Sequence, residues 1–181
     1  MKGIVFTEFL ELVEDKFGLE MVDRIIENAD LPSNGVYTAI GTYDFAEMLS
    51  LVSNLSSYTD IDVDDLLLVY GEHFFSVIER SYSSMLDMYD DPIEFLASIE
   101  NHIHVEVRKI YQDAELPTFR VVEKTKDKLV TIYTSSRALH SFGQGLMNSS
   151  LKYYKTEAEV VKELIKEDGT EVKFVITKIA E

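Results

Sequence analysis

The side chains most able to bind a metal or move a proton are few in this chain, which has no cysteine and only four histidines: His73, His102, His104 and His140. Without thiols there are no thiolate metal sites, iron–sulfur clusters or cysteine nucleophiles, and no disulfides. The histidines are not spaced like a zinc pair. On a helix turning about 100° per residue, His102 and His104 point roughly 200° apart and cannot share one ion. Ile93, Leu96, Ala97, Ile99, Ile103, Val107 and Ile110 form the apolar arc of this helix, and His104 falls at its margin. Two readings are open: a core-edge histidine bonded to a carbonyl, or an axial ligand aimed at a flat cofactor. His102 falls on the polar side and is expected in solvent.

The second chemical cluster is Tyr133-Thr134-Ser135-Ser136-Arg137, at the end of a predicted strand. Strand alternation puts Tyr133, Ser135 and Arg137 on one side. Two hydroxyls and a planar guanidinium suit a carboxylate or a phosphate. A merely solvated strand end explains the same residues.

Helices must position the histidines. Val5, Phe9, Leu12, Val13 and Phe17 recur at helical spacing, and Gly18 can stop that helix. A shorter stretch around Met21, Ile25 and Ile26 ends at the turn formers of 31–35. A third helix is predicted over 44–55, and a fourth opens at Asp62 and runs through Leu66, Val69, Tyr70, Phe74 and Val77. Asp91-Pro92 starts a fifth, since an Asp cap followed by Pro favours a first turn. Its pattern predicts one helix running to about Tyr111. After Pro117 the pattern changes to short β-rich runs at 119–123 and 129–133. A helix over 140–154 follows, then runs at 158–165 and 171–179 around Asp168-Gly169, a hairpin signal. The fold class is α+β: a helical lobe feeding a lobe with a four-stranded antiparallel sheet that begins near residue 118.

Charge divides the chain at the same place. Residues 1–116 carry 24 acids against 6 bases, and residues 117–181 carry 9 against 11, within a total of −16. So acidic a surface disfavours nucleic acid and anionic membrane as partners. No apolar run is long enough to span a bilayer, and the start is acid-studded and amphipathic, unlike a secretion signal. A cytoplasmic protein of one domain is expected.

The two chemical clusters are linked by spacing. His104, Pro117 and the Tyr133-x-Ser135-x-Arg137 motif resemble the signature of the H-NOX family, the haem nitric oxide/oxygen binding domains found as stand-alone bacterial proteins and within soluble guanylate cyclases. The resemblance covers the whole chain, including the Met1-Lys2-Gly3 start, Gly71 in the fourth helix and the C-terminal hairpin. It implies one domain over 1–181, with a helical subdomain at 1–60 and a haem-cradling subdomain at 61–181. The cofactor implied is haem b, with His104 as proximal iron ligand and Tyr133, Ser135 and Arg137 holding the propionates. Pro117 would press on the porphyrin face.

In relatives that bind dioxygen stably, a tyrosine stands nine residues after the motif tyrosine. Here that position is Phe142. Val5, Phe9, Phe74 and Leu146 are the other expected distal contacts, all apolar. Bound dioxygen gains from a hydrogen-bond donor, by about 1–3 kcal/mol, whereas nitric oxide and carbon monoxide need one far less. The resemblance thus implies a sensor of nitric oxide that also takes carbon monoxide and excludes dioxygen, unless His73, Tyr70 or Tyr82 supplies a donor. It signals by loss of the iron–His104 bond to a partner, in this family usually a histidine kinase or a cyclic-di-GMP enzyme. Competing readings are an oxygen-binding haem protein and a haem-free acidic adaptor that uses the cavity for an apolar small molecule. An enzyme is not expected: the chain has no nucleophile elbow, phosphate loop or His-Glu-x-x-His motif, and Asp62, Asp64 and Asp65 crowd a helix start that capping explains.

Overall fold

The computed structural model describes residues 1–179. Helix α1 (Gly3–Phe17) buries Phe9, Leu12 and Val13 of the face its periodicity predicts, together with Phe6, but leaves Phe17 at its end exposed, and gives way at Gly18. Helix α2 (Leu19–Glu27) packs beside it, α3 (Phe45–Thr59) packs on α2 and α4, and α4 (Val63–Leu86) is long enough to leave this group and reach the next. Asp44 and Asp62 cap α3 and α4 by accepting the N–H of Ala46 and Asp64.

Two apolar cores result. One gathers residues of α1, α2, α3 and the first half of α4, from Phe6 to Tyr70. The other gathers Phe75 and Leu86 of α4 with Ile93, Phe95, Leu96 and the sheet residues Leu129, Tyr133, Val172, Phe174 and Ile176.

The sheet is antiparallel, in the order β1 (Thr118–Lys124), β2 (Lys128–Thr134), β4 (Glu171–Lys178), β3 (Ala158–Leu164). Helix α7 (His140–Tyr153) lies between β2 and β3 in sequence and packs along α4. The two helices meet at glycines. A Cβ on Gly71 would stand 2.1 Å from the Phe142 carbonyl oxygen, and one on Gly145 would stand 2.1 Å from that of Leu68. Only backbones without side chains approach so closely, and that approach fixes where Phe74 and Phe142 sit.

The fifth predicted helix is not continuous. It is α5 (Pro92–Ala97), a π turn (Ile99–Ile103) and α6 (His104–Ile110). The N–H of Ile103 reaches back to the Ser98 carbonyl and that of His104 to Ile99, the five-residue reach of a π bulge. The extra residue rotates all that follows, so the helical wheel drawn through His102 and His104 does not apply.

Asp91 ties this segment to the sheet. Its carboxylate caps Ile93 and Glu94 and pairs with Lys178 on β4. Burial pushes its pKa up, but the Lys178 ammonium and the two capping N–H groups outweigh that and hold it below the usual carboxylate value. Asp91→Ala is therefore expected to cost about 1–2 kcal/mol in denaturant melts at neutral pH. A depressed folded-state pKa contributes stability above the unfolded value, and the contribution is lost as pH falls through the folded value. The gap between wild type and variant is expected to close in acid.

Candidate functional site

A cleft of about 1000 Å³ lies between the two cores, its walls largely apolar. His104 opens α6 and stands in this wall, 8% exposed. Its Nδ1 is buried without a hydrogen bond, and the nearest acceptor is Glu100 Oε2 at 3.4 Å, one turn earlier. Nε2 has no hydrogen-bond partner among the described residues and is the ring nitrogen left for the cleft. Burial holds this imidazole below the ordinary histidine pKa, with the Glu100 carboxylate pulling the other way. A neutral ring with one free nitrogen is what a metal ligand requires. The Phe119 ring lies 5.9 Å from that of His104, and Phe119 in turn meets Tyr133 at 5.5 Å.

Tyr133, Ser135 and Arg137 all reach the cleft, but by a different route from strand alternation. β2 ends at Thr134, and a turn brings the other two round, with the Arg137 N–H bonded to Ser135 Oγ at 3.1 Å. Burial raises the Tyr133 phenol, opposed by the Ser135 hydroxyl, the Leu139 N–H and the Arg137 charge. The Arg137 guanidinium is held by Glu115, through both its carboxylate and its carbonyl oxygen. Pro117 also lines the cleft, two residues further along.

The remaining wall carries Val5 from α1, Phe74 from α4, and Phe142 and Leu146 from α7, four of the five expected apolar contacts. Phe9 is not among them. It packs edge-on against Tyr70 at 5.3 Å, and Tyr70 meets the cleft in its place. Position 9 is one turn beyond Val5, which carries its ring past the cleft into the first core.

Of the three alternative donors, Tyr70 spends its hydroxyl proton on the Val5 carbonyl. Tyr82 lies at a break in α4 (φ −137°, ψ 32°) and shares its hydroxyl with that of Tyr111 at 3.5 Å. His73 lies off the cleft, its Nε2 3.6 Å from Glu8 Oε2.

His102 does not stand free in solvent. It is half-buried beside the cleft, with Nδ1 2.5 Å from the Tyr89 hydroxyl, because the π turn swings it inward. Glu100 and Glu115 were not singled out from sequence. Glu100 was legible as the i−4 partner of His104 on a helix. Glu115 sits in an irregular segment and gave no such signal.

A buried imidazole with a free nitrogen, a hydroxyl and guanidinium cluster, and apolar walls of aromatic size form a set that fits haem. The family model described as Haem-NO-binding matches residues 2–162. The chain belongs to this family. It is similar to the H-NOX protein from K. algicida in the Fe(II) unliganded state, at 67% identity and TM-score 0.98 over 100% of this chain and 98% of that one. It is also similar to the H-NOX from Shewanella woodyi, studied in solution in the Fe(II)CO state with IWP-051 bound: 34% identity, TM-score 0.83, 99% of this chain and 95% of that one. At 21% identity the H-NOX protein from S. oneidensis in the Fe(II)NO state shares the fold, with TM-score 0.90 over 99% and 100% of the two chains. The α+β class and the four-stranded antiparallel sheet are thus those of H-NOX proteins. Among the described residues, no helix is long and apolar enough to cross a membrane.

Proposed function

We propose that this H-NOX protein is a sensor of nitric oxide that also takes carbon monoxide, excludes dioxygen, and reports to a separate partner protein. The observation carrying this reading is the pairing of His104, with its free Nε2, and an apolar wall centred on Phe142. His104 is the proximal ligand. Tyr133, Ser135 and Arg137 receive the propionates, and Pro117 bears on the ring. The chain has no cysteine for thioether links, which excludes c-type haem and agrees with the haem b that the family resemblance implies. When bound, the haem would supply a ferrous iron able to take a diatomic gas, with His104 as the residue that would hold that iron.

The chain's own residues do the rest. Phe142 presents a ring edge and no donor, packed 5.1 Å from Tyr70 and 5.6 Å from Phe74. Because the Tyr70 proton is already taken, an oxygen atom there would find no hydrogen bond from it. A His104 released from such an iron would no longer restrain α6, and the 1–60 unit could then shift against 61–181. A partner reads the altered surface. A histidine kinase or a cyclic-di-GMP enzyme suits a cytoplasmic, non-catalytic sensor of this kind.

The test is an absorption spectrum of the purified ferrous protein under argon, in air and with nitric oxide. The expected result is no change in air and a large blue shift of the Soret band with nitric oxide. A stable new spectrum in air would favour the oxygen-binding reading, and no haem after reconstitution the adaptor.

Arg137 and Glu115 give a second check. Losing one charge-assisted bond of about 1.5 kcal/mol is expected to speed haem transfer to apomyoglobin roughly 10-fold in Arg137→Ala. Glu115→Ala is expected to slow it, because it frees the guanidinium from its internal partner.

A further inference from the structure

Glu100 stands at a junction between His104 and strand β1. It lies inside the π turn, and its side chain is 30% exposed. Its Oε2 accepts the backbone N–H of Phe119 on β1 at 3.2 Å, and the same atom is 3.4 Å from His104 Nδ1. Its Oε1 is 3.9 Å from the Arg108 guanidinium. One carboxylate oxygen therefore faces two donors, one on the iron-ligand candidate and one on the first strand. A small second pocket, lined by Glu100, Asn101 and residues 118–121, opens on this point from outside.

The bond to His104 is not formed: the approach leaves Nδ1 as a buried nitrogen without a hydrogen bond. Such atoms are costly to leave unpaired. A metal-bound histidine almost always gives its other N–H to a carboxylate or carbonyl, which fixes tautomer and ring orientation. Contacts of this kind are often long in the unloaded protein and tighten when the site is occupied.

We propose that Glu100 is the positioning residue of this site: it takes the Nδ1–H of His104 when that ring is held at the iron, and in doing so loosens its bond to the Phe119 N–H. The inference rests on His104 being the proximal ligand. It supplies a route for the signal that runs sideways into β1 as well as along α6. While His104 is held, Glu100 is shared between ring and strand. When His104 swings away, the carboxylate returns to Phe119. The edge strand β1 is thus tightened by the event that frees the helix. Pairing of β1 with β2 begins at Thr118 and Phe119, so this bond controls the strand's first residues.

Three readouts test the proposal with Glu100→Ala and the isosteric Glu100→Gln. In the ferrous unliganded protein, resonance Raman is expected to show a lower iron–histidine stretching frequency in Glu100→Ala, with Glu100→Gln between it and wild type. Haem transfer to apomyoglobin is expected to be about 10-fold faster in Glu100→Ala. Amide hydrogen exchange at Phe119 is expected to slow when nitric oxide is added to wild type, and to be unaffected by the gas in Glu100→Ala. An unchanged stretching frequency in both variants would overturn the proposal, as would a Phe119 amide that ignores nitric oxide in wild type. Haem coordination separates this inference from the one beneath it. If His104→Gly keeps the wild-type ferrous spectrum without added imidazole, the ligand assignment fails, whereas a wild-type stretching frequency in Glu100→Ala with His104 still on the iron counts against Glu100 alone. If Glu100→Ala fails to fold, Glu100→Gln carries the same comparisons with smaller shifts.

Discussion

In His104→Gly, nitric oxide is expected to leave the partner's output unchanged while gas binding persists once free imidazole is supplied. The imidazole replaces the ring at the iron but is not joined to α6, so nothing that happens at the metal pulls on the helix. Coupling between sites in switches of this type is about 1–3 kcal/mol, a 5- to 150-fold change in affinity or activity. The variant's ratio with and without gas is expected to collapse to one. The measurement is a partner-activity titration with and without nitric oxide, on wild type and on the imidazole-supplemented variant. A variant that still switched the partner would show that the signal leaves the cleft by another path. Because His104 begins α6 directly after a π turn, any pull on its ring would act on the first residue of that helix.

Phe142→Tyr is expected to bind dioxygen reversibly, where the wild type is expected not to. Phe142 lies on the cleft wall, on an α7 that Gly71 and Gly145 bring against α4, so a hydroxyl added there has limited freedom to turn away. One hydrogen bond to a partly charged oxygen is worth about 1–3 kcal/mol, or roughly 5- to 150-fold in affinity. Carbon monoxide affinity is expected to move far less. Oxygen and carbon monoxide titrations of the two ferrous proteins give the ratio. Equal changes for both gases would mean that the substitution altered packing rather than supplied a donor.

The sequence carried much of this because the relevant signals are local or fixed in spacing. The amphipathic period of α1, the Asp91-Pro92 start and the Asp168-Gly169 turn each depend on neighbours within a few residues, and each lies where it was expected. The site was legible through its most constrained side chains: His104, Pro117 and the Tyr133, Ser135 and Arg137 trio all reach one cleft. What was hidden depends on a single extra residue or on contacts across the chain. The π turn leaves no mark in the apolar pattern around it, yet it reorients His104 and brings His102 to Tyr89. The turn after β2, with Ala138 at φ 51°, and not the strand, aims Arg137. Phe9 satisfies the same helical face as Val5 but is carried one turn too far to touch the cleft.

The central claim is that nitric oxide releases His104. Electron paramagnetic resonance of the ferrous protein with nitric oxide tests it directly, because a histidine nitrogen still bound to iron splits the signal further. The account requires splitting from the nitrogen of nitric oxide alone, unchanged when the histidines are labelled with nitrogen-15. Additional splitting that changes with that label would mean that His104 stays on the iron, and that the lever described here does not operate.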